Sequence, residues 1–227
     1  MPDRTIGGTP ANSEQSPCEP RLVGVVLAGG KSSRLGRDKA LLRLGDAGDL
    51  LARTVGLLRG VADSVIVVGR SYPEGIGIAD LAPGLGPVGG IATALTHAAG
   101  AACLALSCDL PFMNRETLVR LVAAYRRRPA GKNVCLYRRA SDGREESLVA
   151  VYGPETLAAF RQCMDEGLLK VGRVVPEAEK FHLDYDEAEA QAFFNINRPA
   201  DLEEARRIVA ARSGEGGAPP PTFPRGE

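Results

Sequence analysis

Residues 22–30 read LVGVVLAGG, an apolar run that stops at a pair of glycines. A strand without polar alternation is typical of a sheet that is covered on both faces. Sheets of that kind are mainly parallel and occur in α/β proteins, where helices pack on either side. The stretch therefore predicts a buried first strand, over residues 22–28, of an α/β domain.

Strand and helix patterns alternate along the rest of the chain. Further strands are predicted at residues 64–68, 103–106, 134–138 and 147–152. Helices are predicted at residues 50–58, 90–99, 155–163 and 200–211, and from the N-cap Asn114 to residue 127. The last two strands flank the turn sequence SDG and predict an antiparallel hairpin. Together the elements predict a single doubly wound, mainly parallel sheet with a small antiparallel insert.

The two ends of the chain differ in composition from its middle. Residues 1–20 are rich in Pro, Ser, Gly and Asn and predict a disordered leader. Residues 213–227 read SGEGGAPPPTFPRGE and predict a disordered tail. One folded domain is therefore expected over residues 21–212.

Charge and composition exclude several classes of function. The chain has 28 basic and 28 acidic residues in 227, which argues against coating nucleic acid or an anionic membrane. No apolar run approaches the ~18 residues of a membrane span, and the first twenty residues lack the apolar centre of a signal peptide. The five cysteines form no CxxC pair, a pattern typical of reducing compartments. A cytoplasmic protein is expected.

The loop after the first strand, residues 27–39, reads LAGGKSSRLGRDK. It leaves the carboxyl end of the strand, where open α/β sheets bind ligands. Paired glycines at Gly29 and Gly30 allow close approach of a ligand to inward-turned N–H groups. Arg34 and Lys39 add two cations. The loop, together with Leu27 and Ala28 at its start, predicts a binding site for a polyphosphate.

Two familiar phosphate-binding patterns do not fit this loop. GxxxxGK[ST] needs a lysine directly after its second glycine, and here Gly36 is followed by Arg37 and Asp38. The GxGxxG pattern of dinucleotide sites is absent too. The glycine pair alone would equally suit a turn with solvated charges. The serines, cations and third glycine that follow favour the phosphate site.

The loop resembles the signature of molybdenum cofactor guanylyltransferases, LAGGxSxRMGxDK, with Leu35 in place of methionine. The resemblance implies a Rossmann-like nucleotidyltransferase fold. The loop of related enzymes that use CTP tends to read AAG rather than AGG, which points to GTP here.

Three later segments resemble the same family. Residues 80–90 (DLAPGLGPVGG) resemble its D…GPLAG segment, which implies that Asp80 and Gly86 lie against the nucleoside. Residues 107–112 (SCDLPF) resemble CDMPF, which implies that Asp109 binds the nucleotide and ligates Mg²⁺. Residues 194–202 (FNINRPADL) resemble an NxNTPEDL ending, in which Asn195 or Asn197 could complete the metal shell.

Each of these segments also has a plainer structural interpretation. Asp80 could be a surface acid near a helix, and Asp109 could start the turn before one. Asn195, Asn197 and the following proline commonly mark a helix start. His97 and His182 have no spaced acidic, histidine or cysteine partners, so no zinc site is expected.

The resemblance implies transfer of GMP from GTP to molybdenum-bound molybdopterin, with Lys39, Arg34 and Asp109 as catalytic residues and Mg²⁺ as cofactor. Molybdoenzymes or their insertion chaperones are further candidate partners. Two alternatives remain open. One is a relative that uses CTP on the same pterin, or another nucleotide on a sugar phosphate. The other is a non-catalytic GTP-binding module that regulates cofactor insertion.

Overall fold

The computed structural model describes residues 21–29, 38–45 and 48–214. The predicted leader, residues 215–227 of the predicted tail, and residues 30–37 lie outside these ranges, and with them the predictions for Gly30 and Arg34. The last helix ends at Gly214, just beyond the boundary predicted at residue 212. Within the described ranges, no helix is both long and apolar enough to cross a bilayer.

One sheet of seven strands organises the described part of the chain. The strands are β1 Leu22–Leu27, β2 Ser64–Val68, β3 Gly77–Ile78, β4 Ala102–Ser107, β5 Val134–Arg139, β6 Glu145–Tyr152 and β7 Lys180–Tyr185. Their order is β3-β2-β1-β4-β6-β5-β7, and only β6 runs antiparallel to its neighbours. The mainly parallel sheet and the antiparallel hairpin are both confirmed.

Helices cover both faces of the sheet. The α-helices are α1 Leu50–Arg59, α2 Gly86–His97, α3 Arg115–Arg126, α4 Leu157–Asp165 and α5 Pro199–Gly214. Short 3-10 helices lie at Lys39–Leu41, Pro73–Gly75, Pro154–Thr156, Val171–Arg173, Glu177–Glu179 and Ala190–Phe193. Helices α1 and α3 pack on one face, and α2 and α4 pack on the other. This is the doubly wound arrangement that the sequence predicts.

The first strand shows why the run LVGVVL has no polar alternation. Leu22 and Val26 point into the core beneath α1 and α3, whereas Val23 and Val25 point into the core beneath α2 and α4. Both faces of β1 are therefore buried from solvent. Its two edges pair in parallel with β2 and β4, so its backbone hydrogen bonds are satisfied as well.

A third, smaller core lies beyond the sheet and joins distant parts of the chain. It packs α5 and the residue Ile196 before it against the segment after the glycine-rich loop and against the turn after β4. Its buried members are Leu42, Leu44, Leu50, Phe112, Ile196, Leu202 and Ala205. This core holds α5 beside the short helix Lys39–Leu41.

One predicted boundary was wrong, and two strands were missed. Helix α2 begins at Gly86 rather than at residue 90, because Pro87 suits a first helical turn, where its missing N–H costs nothing. The edge strands β3 and β7 were not predicted. Strand β3 has only two residues, and β7 reads KFHLDY, in which charged side chains alternate with apolar ones on a half-buried surface.

The loops after β1 and β2 touch through their glycines. Gly69 has a φ of +90°, a backbone conformation that residues other than glycine rarely adopt. A Cβ at Gly69 would also lie 2.9 Å from the Cα of Gly29. Contact between the two backbones is thus possible only because Gly69 lacks a side chain.

We expect Gly69→Ala to lower the free energy of unfolding by about 2–4 kcal/mol, from backbone strain and the steric clash together. The matched control is Gly100→Ala, because Gly100 has a φ of +93° and a Cβ added there would meet no atom within 4 Å. The control carries the strain alone and should cost about 1–2 kcal/mol. Equal losses in urea unfolding would show that the contact with Gly29 is unimportant.

Candidate active site

Three parallel strands end side by side and define the edge at which the predicted residues meet. The register pairs Leu27 with both Val68 and Ser107, so β1, β2 and β4 stop at the same level. The amide of Ala28 continues the ladder with a 3.3 Å hydrogen bond to the carbonyl of Val68. Gly29 follows, so Leu27, Ala28 and Gly29 lie where the sequence predicts nucleotide contact.

Lys39 reaches back to this edge from the first short helix. Asp38 caps that helix, its Oδ1 accepting from the amide of Ala40 at 3.0 Å. The ammonium of Lys39 donates to Oδ1 of Asn197 at 2.6 Å and lies 3.5 Å from Oδ2 of Asp109. Three of the sequence segments singled out as family-like therefore meet at one lysine.

Asp109 is fixed by both its side chain and its backbone. Ser107 donates to Oδ1 at 2.7 Å, and the carbonyl of Asp109 accepts from the amide of Ile196 at 2.9 Å. The Oδ2 atom is left facing Lys39. The side chains of Lys39 and Asp109 are 18% and 15% exposed, so they are shielded but still open to a ligand.

Residues 195–198 both begin a helix and contribute side chains to the site, so the two interpretations of this segment hold together. Asp201 marks the helix start, because its Oδ2 accepts from the amides of Asn197 and Arg198 at 2.8 and 2.7 Å. The side chain of Asn197 bonds Lys39, and its amide nitrogen donates to Oδ1 of Asn195. The helix start thus carries both asparagines to the edge.

Arg70 is a site residue that the sequence analysis missed. It follows Gly69 after β2, and its Nη2 donates to Oδ2 of Asp38 at 2.6 Å. Its Nε is buried and has no hydrogen-bond partner among the described residues. Arg70 anchors the residue that caps the Lys39 helix. The sequence signal that could have identified Arg70 is a cation placed directly after the glycine that follows a buried strand.

Asp80 lies beside the start of α2. Its Oδ1 accepts from the amide of Ala82 at 2.9 Å and from the hydroxyl of the buried Thr93 at 3.1 Å. The loop packs tightly on the helix, since a Cβ at Gly89 would lie 2.7 Å from the carbonyl oxygen of Ala82. Gly86 is the first residue of α2, so Asp80 and Gly86 border one turn.

The described cysteines are buried free thiols that take no part in this site. Burial raises the pKa of Cys103 and Cys135 to about 12, and burial together with the charge of Asp109 does the same for the pKa of Cys108. These thiols stay protonated at neutral pH and act as small apolar side chains.

A second polar cluster corrects the expectation that His182 lacks partners. His182, Glu145 and Glu177 each offer a ligand atom within 4.8 Å of the others, so they form a group that could hold a metal ion. In the structure, the ammonium of Lys180 lies 2.8 Å from both carboxylate oxygens of Glu145. Pairing of β7 with β5 brings these residues together, which spacing along the chain does not reveal.

The electrostatics of this cluster favour an ion-pair network over a metal. Burial alone would raise the pKa of Glu145, but hydrogen bonds from Lys180 and His182 outweigh it and lower that pKa. The Nε2 of His182 lies 2.8 Å from Glu145, and Lys180 also lies 3.3 Å from Glu177. Lys180 therefore already pairs with both carboxylates of the group.

Comparison with known proteins gives the family. Residues 24–180 match the model of the MobA-like NTP transferase domain. The chain belongs to the MobA-like NTP transferase family. The match spans the glycine-rich loop, Asp80, the Asp109 segment and the antiparallel hairpin.

Relatives resemble the chain over most of its length. It is 33% identical over 206 residues to a probable molybdenum cofactor guanylyltransferase of Pelotomaculum thermopropionicum, with 86% of this chain and 97% of the relative covered. It is 34% identical over 211 residues to the molybdenum cofactor guanylyltransferase of Rhizobium leguminosarum bv. trifolii, with 84% and 94% covered.

Solved structures share the fold. Molybdopterin-guanine dinucleotide biosynthesis protein A of Archaeoglobus fulgidus superposes with a TM-score of 0.65 at 25% identity, over 84% of this chain and 99% of that one. The 2-C-methyl-D-erythritol 4-phosphate cytidylyltransferase of Thermus thermophilus superposes with a TM-score of 0.59 at 22% identity, over 85% and 100%. The second likeness shows the Rossmann-like nucleotidyltransferase fold alone.

Proposed function

We propose that the protein is a molybdenum cofactor guanylyltransferase, which transfers GMP from GTP to molybdenum-bound molybdopterin. The observation that carries the proposal is the contact of Lys39 with Asn197 and Asp109 at the carboxyl edge of β1 and β4. It brings together three of the four segments that resemble the family. The likeness to molybdenum cofactor guanylyltransferases over most of the chain supports the choice of reaction.

The reaction needs no covalent enzyme intermediate. An oxygen of the terminal phosphate of the pterin attacks the α-phosphorus of GTP and forms a new P–O bond. The bond from the α-phosphorus to the bridging oxygen breaks, and pyrophosphate leaves with the electron pair. The protein contributes position and charge, since phosphoryl chemistry of this type offers little else to catalyse.

Lys39 and Arg34 supply positive charge in this proposal. The ammonium of Lys39 offsets the charge that develops on the departing pyrophosphate. Arg34, in the loop between β1 and Lys39, is assigned the same task. We assign the orientation of the phosphates to backbone amides of the loop that begins at Gly29.

The residues at the edge fit a magnesium ion. Asp109 offers the carboxylate oxygen that lies 3.5 Å from the ammonium of Lys39, and Asn195 and Asn197 offer side-chain amide oxygens beside it. Oxygen donors with open positions for phosphate suit Mg²⁺. We assign Mg²⁺ to Asp109, with Asn195 or Asn197 as a further ligand. A bound Mg²⁺ would neutralise phosphate charge.

The guanine base of GTP also needs a binding residue. A carboxylate can accept from N1–H and N2–H₂ of guanine together, and we assign this contact to Asp80, with Gly86 beside the ribose. We further propose that molybdoenzymes or their insertion chaperones receive the product in the cytoplasm.

Nucleotide choice is the first test. In calorimetric titration with Mg²⁺, we expect GTP to bind at least about tenfold more tightly than CTP, ATP or UTP, because unpaired polar groups in a base site disfavour the wrong base. Pyrophosphate release should then require both GTP and molybdopterin. Preference for CTP would move the protein to the cytidylyltransferase relatives, and nucleotide binding without turnover would favour the regulatory module.

Removal of the Lys39 ammonium should slow transfer. We expect Lys39→Ala to lower turnover by about 10²–10³, the usual cost of one transition-state donor. Lys132→Ala is the control, because Lys132 bonds the carbonyl of Ala178 away from the edge and should stay within twofold of the parent. A loss below tenfold for Lys39→Ala would remove this residue from the catalytic role.

The position of the metal can be tested with two variants. Asp109→Asn should abolish Mg²⁺-dependent transfer, because an amide is a far poorer magnesium ligand than a carboxylate. His182→Gln alters the second cluster and should leave the Mg²⁺ concentration for half-maximal activity within twofold of the parent. The reverse pattern would place the ion among Glu145, Glu177 and His182.

A further inference from the structure

A cleft of about 720 Å³ lies on the α2 side of the sheet, outside the residues assigned to the nucleotide. Its walls come from the start of β6, the segment at residues 169–173, the start of β7 and the first turn of α2. Cavities of this size are typical of small-molecule sites. Leu148, Leu169 and Val171 give it apolar surface, and its polar lining is mainly charged.

The charges in the cleft do not balance. Four cations line it, Arg144, Lys170, Arg173 and Lys180, against two carboxylates. Both carboxylates, Glu145 and Glu177, are within ion-pair distance of Lys180. Arg144 also lies 3.5 Å from Glu146, which does not line the cleft, so one positive charge remains in excess once that carboxylate is counted. This excess favours an anionic ligand.

Lys170 and Arg173 account for much of this excess. Both are exposed, and no hydrogen bond or ion pair joins either side chain to another residue of the described part of the chain. Arg144 and Pro87, which lies in the first turn of α2, line the same cleft. That turn has no side-chain cap, so its N–H groups add to the positive field.

The cleft borders the proposed nucleotide site from two directions. Leu106 of β4 pairs with Val149 of β6, so the cleft residues Ser147 and Leu148 lie beside the strand end that carries Asp109. Pro87 lines the cleft and directly follows Gly86 of the proposed nucleoside wall. A ligand held here would therefore approach the nucleotide from the side of β6.

We propose that this cleft binds the acceptor, a phosphomonoester carried on a flat heterocycle, and that Lys170 and Arg173 hold its phosphate. The inference rests on the proposed function, because it supplies the second substrate of that transfer. The apolar wall suits the heterocycle, and the two cations suit a dianion. Because the phosphate is the nucleophile, these residues position it without taking part in proton transfer.

The test compares two double variants that each remove two exposed positive charges. Lys170→Gln/Arg173→Gln changes the cleft, and Arg127→Gln/Arg207→Gln changes the C-cap of α3 and one position of α5, neither of which lines the cleft. The acceptor KM and the GTP KM are measured for transfer to molybdopterin. Direct binding is measured by the fluorescence of 6-hydroxymethylpterin monophosphate, with unphosphorylated 6-hydroxymethylpterin alongside.

We expect the cleft variant to raise the acceptor KM and the Kd of the phosphorylated pterin by about tenfold or more, because two charge-assisted contacts are lost. Its GTP KM, its turnover at saturating acceptor and its Kd for the unphosphorylated pterin should stay within twofold. The control should match the parent throughout. Equal Kd values for the cleft variant and the control, or no binding of the phosphorylated pterin to the parent at millimolar concentration, would overturn the proposal.

The two proposals fail in different ways. A parent protein that binds the phosphorylated pterin through Lys170 and Arg173, yet transfers no GMP, would refute the guanylyltransferase function and leave the cleft as an anion site. A protein that transfers GMP with an acceptor KM unchanged in the cleft variant would refute the cleft alone.

Discussion

The burial of β1 on both faces is the constraint on which the rest of the structure depends. Its apolar side chains fill two cores, and its edges accept β2 and β4 in parallel. Parallel pairing at matched register makes the three strands end together. The loops that leave them must then share one small volume, and the polar residues of those loops become neighbours without any direct link in sequence.

Much of the fold follows from local pattern. The buried strands and the five α-helices appear in the sequence as apolar runs and periodic segments, because both faces of the sheet are covered. Strand β7 does not show such an apolar run. Its Lys180 is 8% exposed and pairs with Glu145, which lies 35 residues away in the chain and also hydrogen-bonds His182. A hydrophobicity pattern does not reveal a charged residue that is buried because it pairs with a residue on another strand.

The candidate site divides in the same way. Lys39, Asp109 and Asn197 stand out in sequence because each lies in a motif that resembles a known family, and the structure brings them into contact. Arg70 lies in no motif, and its role depends on the approach of Gly69 to Gly29 and on the position of Asp38. Such a contact depends on loop packing, which no local pattern of residues encodes. Gly30 and Arg34 remain predictions.

The third core gives the site a particular order of assembly. Lys39 finds its partner Asn197 across 158 residues, and that partner is held in place by the packing of α5 on Leu42, Leu44 and Phe112. During synthesis, the glycine-rich loop and Asp109 are made long before this helix exists. The contact between Lys39 and Asn197 can therefore form only after residue 197 has been made, although Asp109 is available to Lys39 earlier. A growing chain that stops short of residue 197 thus lacks one of the three side chains that meet at this edge.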